Sequence, residues 1–361
     1  MMMQRLLTAL LTCAALVSAA VQAKLVQHPY YSQAIEGSYI GTDPNRTISV
    51  YLPKDYDTSK KNYPVLYFLG AYNWPDRFAQ SLAKRFDTFI QNGHSMDFIV
   101  VMLDGDTPLR GSFYVNSKAH GNFEDFVMKE ALPFVAANYR TSKQPGDTAI
   151  AGFSMGGTGA LRFAAKYPQH FNHVYAMSPG LFSEQGMQDS YLADEKAVAG
   201  YKLFRQQLAK AADPAAFMAS AFADYQGLKL WQQGVDHSNL ALVLAYGSAF
   251  AGTQSDAFGP HYTELESSRD AWQGGFGELL RLYTNPHVLS KLQTVHVEVG
   301  NKDEYRWISD GSMRLGELSR ASNSKVQVEV FEGDHSSRFG ERISERVLPH
   351  FATVFSKRTE L

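Results

Sequence analysis

The sequence predicts an α/β fold, with a mostly parallel central sheet flanked by helices, and three observations carry that expectation. Short, continuous apolar runs of strand length recur along the chain, several of them bounded by proline or glycine. Longer segments with apolar residues at helical spacing lie between them. Strands that are apolar throughout, rather than alternating, are those buried on both faces, as a parallel sheet covered by helices requires. The third observation is the stretch Gly152-Phe153-Ser154-Met155-Gly156-Gly157, which follows one apolar run directly and leads into a helical pattern, as a sharp strand-to-helix turn would.

At the N-terminus, Arg5 precedes the apolar run Leu6 to Val21, and Val21-Gln22-Ala23 supplies the small residues that a signal peptidase reads. A signal peptide over 1–23 is expected, cleaved after Ala23. It would leave 24–361 as one domain, exported to the periplasm or beyond. The run offers about 16 residues where a membrane span needs roughly 20, so no stable insertion is expected after cleavage. The single cysteine, Cys13, lies inside this segment, so the mature chain would hold no disulfide and would rely on its core. With 45% hydrophobic and 13% aromatic residues among 361, that core is ample. Acidic and basic residues nearly balance at a formal charge of -2 and form no long run, which argues against nucleic acid as a partner.

Arg46–Leu52 and Tyr63–Leu69 read as the first strands, the second bounded by Pro64 and Gly70. Arg77–Gln91 follows with Phe78, Leu82, Phe86, Phe89 and Ile90 at helical spacing, and Asp97–Leu103 is the next strand. Glu124–Asn138 repeats the helical pattern and opens with acidic residues, which suit the positive end of a helix dipole. Thr148–Phe153, His173–Met177, Thr294–Val299 and Val326–Phe331 complete the strands. The segment of about 181–291 is far longer than a simple crossover needs. It contains helical patterns at Tyr201–Ala212, Pro214–Tyr225 and Leu240–Phe250, and many aromatics, among them Phe204, Trp231, Trp272 and Phe276. A helical cap over the cleft is expected there, most of its aromatics forming the cap's own core.

In a turn as sharp as the one after Phe153, the serine takes a strained backbone conformation, and Gly152 and Gly156 avoid collision only by lacking side chains. The strain lifts the Ser154 hydroxyl into the cleft and sets the Met155 N–H at a helix N-terminus, where it can stabilise an oxyanion. Nucleotide readings fail. A phosphate loop wants lysine where Thr158 stands, and a dinucleotide fold wants a glycine where Arg162 stands. An activated serine needs a base, and in the chain order serine, acid, histidine the base lies late. His335, in the glycine-containing loop after the last strand, suits this better than His350, which sits in a C-terminal helical pattern. The acid should leave the preceding strand in the same way, where Asp303 is the first choice and Glu304 the reserve. Tyr114 and Asn116, after the Asp97–Leu103 strand, are candidates to border the substrate site. His170 and His173 mimic a metal pair by spacing but lack a third ligand, so neither a metal nor any other cofactor is expected.

Several segments together resemble the esterase D and tributyrin esterase group of α/β-hydrolases over almost all of the mature chain. They are Ser112-Phe113-Tyr114-Val115-Asn116-Ser117, Gly121-Asn122-Phe123-Glu124-Asp125-Phe126, the turn at Ser154, Gly300-Asn301-Lys302-Asp303-Glu304 and Gly333-Asp334-His335-Ser336. The resemblance implies an α/β-hydrolase fold with Ser154 as nucleophile, Asp303 as acid and His335 as base. It also implies an oxyanion hole shared by the backbone N–H of Met155 and one in the loop after Leu69, for which Ala71 is the candidate. That loop departs from the family pattern, because Leu69 stands where relatives commonly carry histidine before glycine. The implied activity is hydrolysis of a small-molecule carboxylic ester through an acyl-enzyme. A mycolyltransferase-like acyl transfer, or hydrolysis of a thioester or siderophore ester, would use the same residues.

Overall fold

The computed structural model describes residues 23–222 and 239–356. The expected signal segment up to residue 22 with Cys13, the end of the helix expected at Pro214–Tyr225, and Trp231 all lie outside the described residues. The strands are β1 (Lys24–Tyr31), β2 (Asn45–Leu52), β3 (Val65–Leu69), β4 (Ile99–Leu103), a two-residue pair β5 (Asn116–Ser117) and β6 (Gly121–Asn122), then β7 (Thr148–Phe153), β8 (His173–Met177), β9 (Thr294–Gly300) and β10 (Val326–Phe331). Eight of them form one sheet in the order β1-β2-β4-β3-β7-β8-β9-β10. Within it the pairs β1/β2 and β2/β4 are antiparallel and the other five are parallel, while the separate β5/β6 pair is antiparallel.

Each central strand is buried along its whole length because successive residues serve two cores. Val65, Tyr67 and Leu69 of β3 face one, and Leu66 and Phe68 face the other. The second core is closed by α1 (Phe78–Gln91), through Leu82, Phe86 and Phe89, and by the C-terminal helix. The first is closed by the short helices α2 (Phe123–Asp125) and α3 (Leu132–Asn138) and by α4 (Met155–Lys166), which follows Ser154. Between β8 and β9 the chain forms α5 (Glu195–Lys210), α6 (Pro214–Phe222), α7 (Leu240–Phe250), α8 (Glu266–Gln273), α9 (Phe276–Tyr283) and α10 (Pro286–Ser290). Phe204, Tyr246, Trp272 and Phe276 of this insertion are buried and continuous with the first core. Helix α11 (Arg306–Ala321) follows β9, and α12 (Phe339–Arg342) and α13 (Leu348–Ser356) follow β10.

Two departures from the sequence expectations have local causes. Strand β1 was not anticipated; it is an edge strand of mixed burial carrying Pro29, a residue a sheet tolerates mainly at its edge. The helix expected over Glu124–Asn138 is interrupted by a π-helical segment, Phe126–Ala131, and a second such segment, Ile343–Val347, joins α12 to α13. Both run directly into a Leu-Pro pair, Leu132-Pro133 and Leu348-Pro349. Proline has no N–H for the preceding turn and its ring crowds the carbonyl four residues back, so the helix widens there.

One buried ionic network ties the strand ends together. Arg342 Nε donates to Glu298 Oε1 at 2.7 Å, and Tyr175 donates its hydroxyl to Glu298 Oε2 at 2.8 Å. The same guanidinium donates to the His335 carbonyl at 3.2 Å and to Ser178 Oγ at 3.1 Å, and lies 4.4 Å over the Phe331 ring. Both charged side chains of the pair are essentially inaccessible, at 2% and 0% exposure.

Removing Arg342 leaves the buried Glu298 carboxylate with only the more exposed Arg346, 3.8 Å away, as a cationic partner. Arg342→Met is therefore expected to cost about 3–5 kcal/mol in urea unfolding, and adding Glu298→Gln is expected to recover part of it. A pH dependence also follows from three other side chains. Burial pushes His120, His261 and His350 down from 6.5 to about 4, so the unfolded chain binds protons that the folded chain refuses. This contribution to stability is complete above pH 6.5 and is lost as pH falls toward 4. The melting temperature is expected to drop across that window, less steeply in His350→Gln.

Candidate active site

Ser154 directly follows β7 near the middle of the sheet, with φ 55° and ψ -115°. Such a conformation costs a non-glycine residue about 1–3 kcal/mol and persists only when its surroundings over-determine it. Here they do: Ser154 N–H donates to the Met177 carbonyl at 2.8 Å, and Thr158 N–H donates to the Ser154 carbonyl at 3.0 Å. A Cβ on Gly152 would lie 2.3 Å from the carbonyl carbon and oxygen of Gly156. One on Gly156 would lie 2.0 Å from the Leu69 carbonyl oxygen. Neither position admits a side chain, so β3, β7 and α4 meet through bare main chain.

His335 lies in the loop after β10, 8% exposed. Its Nδ1 is 2.7 Å from Oδ2 of Asp303, a carboxylate in the loop after β9 that is itself 2% exposed. With a carboxylate accepting at Nδ1, the proton of the neutral ring sits there and Nε2 keeps a lone pair. The other oxygen of Asp303 accepts the Tyr305 N–H at 2.9 Å, so the carboxylate is oriented from both sides. Glu304 takes a different part: its Oε2 accepts the backbone N–H of His335 at 3.1 Å. The imidazole is packed between the rings of Phe153 and Tyr305, each 5.0 Å away centroid to centroid.

Ser154, His335, Met155 and Ala71 border one cavity of about 640 Å³. Among the described residues no acceptor meets the backbone N–H of Met155, at the start of α4, or that of Ala71, in the loop after β3. The rest of the wall is largely aromatic. Phe276 stacks on Trp307 at 5.2 Å and 14°, and Phe113 meets Phe276 edge-on at 5.5 Å. Arg110 and Glu304 add one charge of each sign. The inserted segment contributes Asn239, Leu242 and Phe276 to the wall.

Two expected border residues do not line this cavity. Tyr114 is 2% exposed with its ring turned into the core, because the chain passes through φ 51° at Phe113 and 55° at Tyr114. Asn116 is exposed but spends its side chain on Asp125, donating to Oδ1 at 3.0 Å and accepting the Asp125 N–H at 3.0 Å. Phe113, one residue from the expected position, faces the cavity instead. His173 binds Thr294 Oγ1 at 2.8 Å, and among the described residues no three ligand-type side chains come together as a metal site would need. The sequence reading missed Arg342 and Glu298, which hold the His335 loop from beneath. No local signal marks them, since an arginine in a short helix normally points to solvent.

Comparison with known proteins agrees with this architecture. An esterase of Mycobacterium tuberculosis is 39% identical over 140 residues, 37% of this chain and 28% of that protein. An acetyl esterase of Caldicellulosiruptor saccharolyticus is 26% identical over 194 residues, 50% of this chain and 65% of that protein. The chain thus spans less than two thirds of the length of these curated relatives. Among solved structures, a ferulic acid esterase superposes with a TM-score of 0.59 at 18% identity, covering 93% of this chain and 99% of that one. An S-formylglutathione hydrolase from Agrobacterium tumefaciens gives 0.54 at 14% identity, covering 93% and 97%. These likenesses show the α/β-hydrolase fold. The family model described as "Putative esterase" matches residues 41–354, and the chain belongs to that family.

Proposed function

We propose that this protein hydrolyses carboxylic esters through a covalent acyl-enzyme formed on Ser154. His335 Nε2 takes the Ser154 proton as Oγ attacks the ester carbonyl. The N–H groups of Met155 and Ala71 hold the oxyanion that develops. The C–O bond to the alcohol then breaks and the alcohol leaves with the proton held by His335. Water, deprotonated by the same imidazole, attacks the acyl-enzyme and releases the acid and the free serine. Asp303 holds the ring in one tautomer and stabilises its protonated form.

The observation that carries this reading is the buried 2.7 Å contact between His335 Nδ1 and Asp303, which leaves Nε2 available on the wall that also bears the strained Ser154. The aromatic wall suits an acyl group that is flat and apolar, in keeping with the ferulic acid esterase that shares the fold. Helices α5–α10 serve as the cap, and Leu242 of α7 and Phe276 of α9 give the acyl group an apolar wall. The apolar run after Arg5 directs export, with Lys24 as the new N-terminus.

Ser154→Ala is expected to lower kcat/KM on a chromogenic ester by about a thousandfold or more, and Asp303→Asn by at least about a hundredfold. A fluorophosphonate probe should label the wild-type protein at Ser154 and leave Ser154→Ala unlabelled. Undiminished hydrolysis by Ser154→Ala would sink the reading. Across a panel of esters, kcat/KM is expected to favour aromatic over acetyl acyl groups.

A further inference from the structure

The oxyanion site poses a problem that the main chain of its loop does not solve alone. The candidate donor, Ala71 N–H, shares a peptide unit with the carbonyl of Gly70. Glycine rotates freely about φ and ψ, so a peptide next to it flips at little steric cost. An N–H that must face the cavity therefore needs something to hold its peptide plane.

Tyr114 supplies that hold. Its hydroxyl lies 2.9 Å from the Gly70 carbonyl oxygen and 3.0 Å from that of Leu103. The Leu103 carbonyl already accepts the Gly70 N–H at 3.0 Å, so Gly70 is pinned through both of its peptide units. Within a trans peptide the C=O and the next N–H lie in one plane and point in opposite directions. Drawing the Gly70 carbonyl inward onto the phenol turns the Ala71 N–H outward, and Ala71 is on the cavity wall. Burial pushes the phenol well above its ordinary pKa, so it keeps the proton it donates.

The surroundings of the ring are built for this placement. Two consecutive non-glycine residues, Phe113 and Tyr114, take left-handed backbone conformations to drive it inward. The Tyr114 N–H is received by Ser112 Oγ at 3.2 Å. The ring slides between Gly105 and Gly159, where a Cβ on either residue would come within 2.9 Å of it. Gly159 belongs to α4, the helix that begins at the nucleophile turn, so the ring also sets the spacing between that turn and the loop after β3.

We infer that Tyr114 is a positioning residue whose hydroxyl aims the Ala71 N–H at the oxyanion of the reaction proposed above. The inference rests on that reading of the site. Its test is Tyr114→Phe, which keeps the ring and removes only the hydroxyl. A control is Tyr283→Phe, which removes an equally buried hydroxyl that donates to Leu161 O at 2.8 Å. Tyr114→Phe is expected to lower kcat about tenfold or more while KM stays within about twofold. Affinity for benzeneboronic acid, whose tetrahedral serine adduct places an oxygen in the oxyanion site, should fall by a similar factor. Tyr283→Phe should keep kcat and boronate affinity within about twofold. Melting curves of both variants, run at the assay pH, show that the folded fraction is being compared. A folded Tyr114→Phe with wild-type kcat overturns the inference, as does a loss of kcat with unchanged boronate affinity. Ser154→Ala run in parallel separates the two levels. If it stays active, the reading of the site has failed. If it is inactive while Tyr114→Phe matches wild type, only the role of Tyr114 has failed.

Discussion

The contact on which the rest of the molecule depends is made by main chain alone, where the end of β3, the end of β7 and the first turn of α4 touch. Gly152 and Gly156 bring carbonyl groups to distances that a single methyl would forbid. That closeness forces Ser154 into a strained positive-φ conformation, and the hydrogen bonds to Met177 and from Thr158 hold it there. Strain at one residue is thus sustained by a sheet and a helix already committed by their own cores.

Burying polar groups around this point is costly unless each is satisfied, and the structure satisfies them by linking strand ends. Glu298 on β9 binds Arg342 and Tyr175, and Arg342 reaches onward to the His335 carbonyl and to Ser178 at the end of β8. The imidazole is therefore located from three directions: by Asp303 at its ring nitrogen, by Glu304 at its backbone N–H and by Arg342 at its carbonyl. The loop that carries it is further tied to the turn after β9, where the Lys302 N–H donates to the Gly333 carbonyl at 2.9 Å.

The insertion between β8 and β9 serves two purposes with one set of rings. Tyr246, Trp272 and Phe276 pack into the core that α4 and α11 close, and Phe276 also presents its ring to the cavity. Its stacking on Trp307 of α11 joins the inserted helices to the sheet layer, so the pocket wall is as rigid as the core behind it.

Much of this was legible in the sequence. Apolar runs gave strands whose limits agree at Thr148–Phe153, His173–Met177 and Val326–Phe331. The first two are buried on both faces of the sheet, and a continuous apolar run is the direct record of that burial, whereas Val326–Phe331 is an edge strand that alternates Gln327 and Glu329 with its apolar residues. The glycines around Ser154 were equally plain, because a backbone clash excludes every other residue locally. The orientation of Tyr114, the employment of Asn116 by Asp125 and the division of labour between Asp303 and Glu304 were decided only by tertiary structure. So was the Glu298–Arg342 pair, 44 positions apart along the chain. Local pattern records how often a residue must face the core, since burial repeats with the period of the element. It carries no record of which distant polar atom a side chain will meet, because that choice is made when separate elements pack and each buried group takes the partner within reach.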